Sequence, residues 1–234
     1  MTGGEIQEAL RARRFTDIRI RLLAEGNTDR CGEEKRLELY RRALARVELR
    51  LGNARAAAAL LTSLVESNPL PGAGDYNERG ACYWLMEDRE AAIRDWREGL
   101  RCKYGDGAGN LSPALLLYYP AVALSDEALR QEAIEAIEQR LNTGWAKNWP
   151  APLGRYLLDQ ADDAELAQEI AREHPISQPD ERCRFEFYRA IKAFERGDEP
   201  LAIRRCQCAV AIEQQTTSST EFVLADHMVR QAAA

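Results

Sequence analysis

Apolar side chains recur at steps of three and four along most of this chain. From Glu33 on, Leu37, Tyr40, Leu44, Val47 and Leu51 fall on one face of a helix. Gly52-Asn53 interrupts that face, and a return helix is predicted over residues 56–65. Asn68-Pro69 ends it, because the residue before a proline disfavours α geometry. PGAG at 71–74 turns the chain into two short helices, 75–86 and 89–101, hinged at Glu87-Asp88. One or two helices are predicted over 4–24, with Thr16 able to cap the second, and GNTDRCG at 26–32 reads as a loop.

The second half continues in the same manner. Residues 112–123 form a helix with Pro113 near its start and Pro120 kinking or ending it. Ser125 is the expected N-cap of helix 126–141. A loop over 142–152 carries Trp145 and Trp149, both expected to plug junctions between helical pairs. Short helices over 153–158 and 163–173 follow, the latter opened by Asp162 with Glu165 three residues on. After a break at 174–180, helix 181–196 meets Gly197-Asp198 and helix 199–212 returns. Ser218 and Glu221 give a capping-box signature for a last helix to about residue 230. The predicted fold class is all-α: antiparallel helical hairpins in a row.

Composition agrees. Ala, Leu, Arg and Glu dominate the 234 residues, and these are strong helix formers. With 45% apolar and 30% charged residues the chain reads as a soluble globular protein, large enough to bury a core without disulfides or metals. No apolar run has transmembrane length and the N-terminus shows no signal-peptide stretch, so a cytoplasmic protein away from membranes is expected. Cysteines 31, 82, 102, 183, 206 and 208 lack framework spacing and are expected as free thiols. The net charge of −6 divides into +4 over residues 1–55 and −10 over the remainder, too weak a basic excess for a nucleic-acid partner.

Candidate chemistry is sparse. His174 and His227 are far apart with no third ligand, so neither a metal nor a cofactor is expected. No cysteine is paired with a base in the sequence, so no catalytic residue is assigned. GDGAGN at 105–110 lacks the strand before it and the lysine that a phosphate loop needs, and reads as a plain loop. Asp159, Asp162, Asp163, Glu165 and Glu169 read as helix-terminus carboxylates, which the positive end of the helix dipole favours.

Aligning the hinges exposes a repeat. Gly80 is followed by Tyr83, Ala92, Trp96 and Gly99, Ala45 by Ala57, Leu61 and Pro69, and Ala190 by Ala202, Cys206 and Ala209, at matching offsets. Small residues there let two helices cross closely, and the large residue fills the gap between neighbouring pairs. This pattern resembles the tetratricopeptide repeat, with its 34-residue period and W-x2-L-G-x2-Y, A-x3-F, P signature. Tyr76, Gly80, Tyr83, Ala92 and Trp96 match it, while Arg79 stands for the usual leucine and Tyr104 for the proline. LLLYYPAVALSDEALRQEAI, GRYLLDQADDAEL, CRFEFYRAIKAFERGDEPLAIRRCQCAV and EFVLADHM are similar to the NlpI-type bacterial lipoprotein adaptors. The lipoprotein signal and lipobox cysteine of those adaptors have no counterpart here, so only the scaffold carries over.

The resemblance implies a solenoid. Residues 1–32 would be an N-terminal helical cap, 33–104 two repeat units, 105–180 degenerate hairpins, and 181–234 a repeat unit with a C-terminal capping helix. It also implies that the first helix of each pair lines a concave groove. Arg42, Arg46 and Arg50, then Asn77 with Ala81 and Trp84, then Phe187 with Ile191 and Phe194, would face it. Such a groove, basic at one end and aromatic at the other, suits an acidic-aromatic peptide or a partner helix. The expected function is therefore a scaffold or adaptor binding another protein, with end helices open to self-association and Arg46→Glu plus Trp84→Ala expected to spare the melting temperature. A toxin-neutralising immunity protein is the alternative, from the chain's size, acidity and lack of chemistry; an enzyme is not expected.

Overall fold

The computed structural model describes residues 19–20, 34–68, 70–103, 105–212 and 220–234, without the side chains of 34–37. The expected helices over 4–24 (save residues 19–20), the loop at 26–32 and Ser218 lie outside the described residues. The described residues form eleven helices and no strand. They are α1 (Glu34–Arg50), α2 (Ala54–Ser67), α3 (Ala73–Leu85), α4 (Arg89–Arg101), α5 (Leu111–Ala123), α6 (Glu127–Leu141), α7 (Ala151–Leu157), α8 (Asp163–Arg172), α9 (Gln178–Glu195), α10 (Glu199–Ala211) and α11 (Thr220–Ala232). Each helix packs on the next, and α3, α5 and α9 also meet one another in sequence. None is long and apolar enough to cross a membrane.

One turn geometry recurs five times. Gly52, Glu87, Ser125, Asp159 and Gly197 all take positive φ, between 53° and 81°. The amide after each donates to the carbonyl five residues before it: Asn53 to Glu48 (2.8 Å), Asp88 to Tyr83 (2.9 Å), Asp126 to Ala121 (2.9 Å), Gln160 to Arg155 (2.8 Å) and Asp198 to Ala193 (2.9 Å). This is the left-handed helix stop that satisfies the last carbonyls of a helix. Asp88, Asp126 and Asp198 then cap the next helix, each accepting from the amide three residues on. The five turns lie 34 to 38 residues apart, so the regular spacing runs through the middle of the chain as well.

Two expectations need correcting. Ser125 is the left-handed residue and Asp126 the cap, because the carboxylate reaches the Leu129 amide at 3.0 Å. Pro120 does not end α5: it lies inside the final turn, and the helix runs on to Ala123. The Asp162–Glu165 capping box forms in full. The loop at 105–110 closes on itself: the Asp106 carboxylate accepts from the amides of Ala108, Leu111 and Ser112, filling the start of α5 with protein carboxylate.

The aligned small and large positions are core. Ala45, Ala57, Leu61, Ala92, Trp96, Ala190, Ala202, Cys206 and Ala209 are fully buried. α5 is buried from Leu111 to Val122, as expected of a helix apolar on all sides. A Cβ on Gly80 would stand 2.6 Å from Trp96 Nε1 and 3.0 Å from two further ring atoms. The buried indole donates to the Asn77 carbonyl at 3.2 Å and has no space to retreat. Gly80→Ala should thus lose about 1–3 kcal/mol to overpacking against about 1 kcal/mol gained in helix propensity. A net fall in the urea midpoint is expected; an unchanged or raised midpoint would show that α3 and α4 do not cross this closely.

Candidate functional site

The face shared by α3, α5 and α9 is built on an aromatic ladder. Trp96 and Trp84 lie 6.0 Å apart between ring centroids, Trp84 and Tyr119 4.8 Å, Tyr119 and Phe187 5.4 Å, and Phe187 and Tyr188 5.2 Å. Trp84 Nε1–H donates to the Tyr119 hydroxyl at 2.9 Å, and burial pushes that phenol's pKa well above its ordinary value. Two of the residues read as partner-facing are inside this ladder. Trp84 is 2% exposed and Phe187 fully buried, so they shape the face from beneath. Asn77 is buried beside them, and Phe194 is half-buried.

The arginine stripe is engaged. Arg42 donates to both Asp75 oxygens at 2.6 and 2.8 Å, and Arg46 Nε to Glu78 Oε1 at 2.7 Å. These pairs tie α1 to α3 across 32 or 33 residues of sequence. Both guanidinium pKa values rise, Arg42 chiefly through its hydrogen bonds to Asp75 and Arg46 chiefly through the charge of Glu78. Arg50 stacks over the Phe222 ring with its guanidinium carbon 3.7 Å from the centroid. The stripe is a row of interhelical ties.

Phe222 belongs to α11, and α11 covers the shared face. It packs on α10, α9 and α3. At its start Glu221, 3% exposed, accepts from Arg184 Nε at 2.9 Å and from the Tyr188 hydroxyl at 3.2 Å. Arg184 donates onward to Ser112 Oγ of α5 at 3.0 Å. Midway, Cys206 meets the Met228 sulfur at 3.7 Å. Towards its end, Gln231 donates to Glu87 Oε1 at 3.3 Å, and His227 Nε2 lies 3.5 Å from the same oxygen. Burial lowers the His227 pKa. The sequence pattern predicts α11 as a C-terminal capping helix and marks no role for Arg184.

Clefts remain at both ends of α11. Near its start a cavity of about 250 Å³ is bordered by Asn77, Glu78, Ser112, Glu181, Arg184 and Glu221. Near its end one of about 280 Å³ is bordered by Trp84, Tyr119, Ile191, Phe194, Met228 and Gln231. Trp84 and Phe194, read from sequence as binding residues, meet in the second, and Asn77 borders the first.

The other expected features are structural in placement. Asp159 pairs with Lys192 at 2.8 Å, Asp163 with Arg189 and Glu169 with Arg172 at 2.5 Å, while Asp162 and Glu165 form the capping box. Trp145 is a correction: it is 63% exposed, resting against Gly109 at the loop surface, whereas Trp149 packs against the core. Among the described residues no group of three His, Cys, Asp or Glu side chains has the arrangement of a metal site. Cys82, Cys102, Cys206 and Cys208 are free thiols, and burial pushes Cys206 up to about 12.

No protein-family model matches the chain, and the search of curated proteins finds no match.

Proposed function

We propose that this protein is a tetratricopeptide-like scaffold that binds an amphipathic helix of another protein on the face of α3, α5 and α9, in a reducing cytoplasm. The observation that carries the reading is α11 itself. A helix already lies on that face, held by an acidic residue and then an aromatic one: Glu221 on Arg184 and Tyr188, Phe222 beneath Arg50. Helix-in-groove recognition works through anchors at i, i+3, i+4 and i+7, the spacing of the buried Glu221, Leu224, Ala225 and Met228. The partner helix therefore carries a carboxylate beside an aromatic side chain at its start and apolar residues facing Met228's position. The five turns at 34 to 38 residues, against a family period of 34, support the repeat reading.

Because α11 occupies the face, a partner meets a competitor that is always present, and its apparent affinity falls by the fraction of time α11 is seated. A fluorescent peptide with the sequence of residues 219–233 reads this directly. In the full-length chain carrying Glu221→Ala and Phe222→Ala, the peptide should bind at least about tenfold more tightly than in the unaltered chain. Folded variant that fails to bind the peptide would contradict the reading.

A further inference from the structure

The cavity at the start of α11 is short of hydrogen-bond donors. Glu78 uses Oε1 for Arg46, and its Oε2 has no hydrogen-bond partner. Glu181 Oε2 has none either; Arg184 Nη1, its nearest cation, stands off at 3.8 Å. The side-chain oxygen of Asn77 is a third. Glu78 is 8% exposed, Glu181 9% and Asn77 7%, and all three border this one cavity. Burying such an oxygen unpaired is costly, more so for a charged group, so native proteins rarely leave three together. Asp180, Arg184 and Glu221 line the same space.

We propose that this cavity is a binding site for an alkyl guanidinium or ammonium group, either a free small cation or the side chain of an arginine or lysine presented by a partner. Such a group has N–H donors, positive charge and no acceptor, the complement of what the walls offer. A metal ion is the poorer occupant, since the described residues hold no metal-ligand arrangement. Gly74 stands exposed at the mouth, where a Cβ would meet nothing within 4 Å, so among the described residues that side of the entrance is open. The site needs α11 seated, because Thr220 and Glu221 form one wall, but it does not require that any helix replace α11.

Protonation of Glu181 couples to occupancy. Burial raises its pKa to about 8; Arg184 opposes this, while Glu221, Asp180 and Glu173 reinforce it. Glu78 reaches the cavity from α3 with one oxygen already held by Arg46. Below about pH 8 an arriving cation displaces the Glu181 proton, so binding releases one proton and strengthens as pH rises.

The test is isothermal titration of the full-length chain with methylguanidinium and, separately, with an arginine-containing peptide. Affinity should rise about tenfold per pH unit below 8 and level off above it. Glu181→Gln should weaken binding at least tenfold and abolish the pH slope, and Gly74→Leu, which adds bulk at the mouth, should block it. Binding of the peptide alone identifies a side chain as the occupant; binding of both identifies the shared chemistry. Failure of both probes on the folded chain overturns the proposal, as does equal binding of tetramethylammonium, which has charge but no N–H. The α11-peptide experiment on the helix-binding face is unaffected by either result.

Discussion

Replacing Glu221 by alanine is expected to release α11 from the body of the protein. The carboxylate accepts from Arg184 and Tyr188 in a region where Glu221 is 3% exposed and the Arg184 side chain 16%. Removing one member of a buried ion pair leaves the other charged and unmatched, a loss of about 3–5 kcal/mol. The guanidinium cannot give up its proton, and Glu221 is among the charges that raise its pKa. That loss falls on the docking of α11 first, since the pair joins α11 to α9 and through Ser112 to α5. Urea unfolding should show an early step confined to α11 ahead of the main transition. Glu181 offers partial rescue: freed from Glu221, it ionises more readily and lies 3.8 Å from Arg184. The deficit should accordingly shrink as pH rises towards 8. A single unshifted transition would contradict the role assigned to this pair.

Trp84→Ala is expected to destabilise the whole molecule. The indole is 2% exposed, stacks between Trp96 and Tyr119, lies beneath the Arg89 guanidinium at 3.8 Å, and donates to the Tyr119 hydroxyl. Truncating a buried tryptophan costs about 3–5 kcal/mol. The buried Tyr119 hydroxyl also loses its partner, adding about 1–3 kcal/mol if no water enters. Trp84→Phe, which keeps a ring and drops the donor, should lose clearly less. The comparison in guanidinium chloride separates packing from the hydrogen bond. A Trp84→Ala chain with an unchanged midpoint would mean that the ladder is not continuous. This outcome reverses the expectation from sequence alone, where Arg46→Glu with Trp84→Ala would spare the melting temperature. Arg46 is also a tie, bonded to Glu78 across α1 and α3.

Helical periodicity assigns a residue to a face but not to what lies over it. Trp96 was read as packing because its offset from Gly80 calls for a large residue, and it lies against Gly80. Trp84 sits on the face that opens to solvent in an uncovered solenoid. It is enclosed by Trp96, Tyr119 and Arg89, and α11, more than 130 residues later in the chain, borders the same cleft with Met228 and Gln231. No local signal encodes that contact. Glu221 was legible as a capping residue and Phe222 as apolar, whereas their partners Arg184 and Arg50 were ordinary charges on helical surfaces. The orphan oxygens of Glu78 and Glu181 were equally invisible, since being unpaired is a property of the assembled cavity.

The hairpin turns divide in the same way. Gly52 and Gly197 announce a left-handed residue by their identity, because glycine adopts positive φ without a steric cost. Glu87, Ser125 and Asp159 adopt the same conformation with side chains that usually avoid it. Glu87 is legible as part of the hinge between two short amphipathic helices. In the sequence Ser125 resembles a cap and Asp159 is one acid among several, so neither marks a left-handed turn. The backbone bonds of these turns are the same five times over; their sequence marking is not.

The central claim is that α11 occupies the face of α3, α5 and α9. Amide hydrogen exchange across residues 220–232 of the unaltered chain tests it most directly. Seated as described, these amides should be protected to a degree comparable with those of α9, and Glu221→Ala should expose them while α9 keeps its protection. Exchange of α11 at unprotected rates in the unaltered chain, with α3 and α9 still protected, would contradict the account.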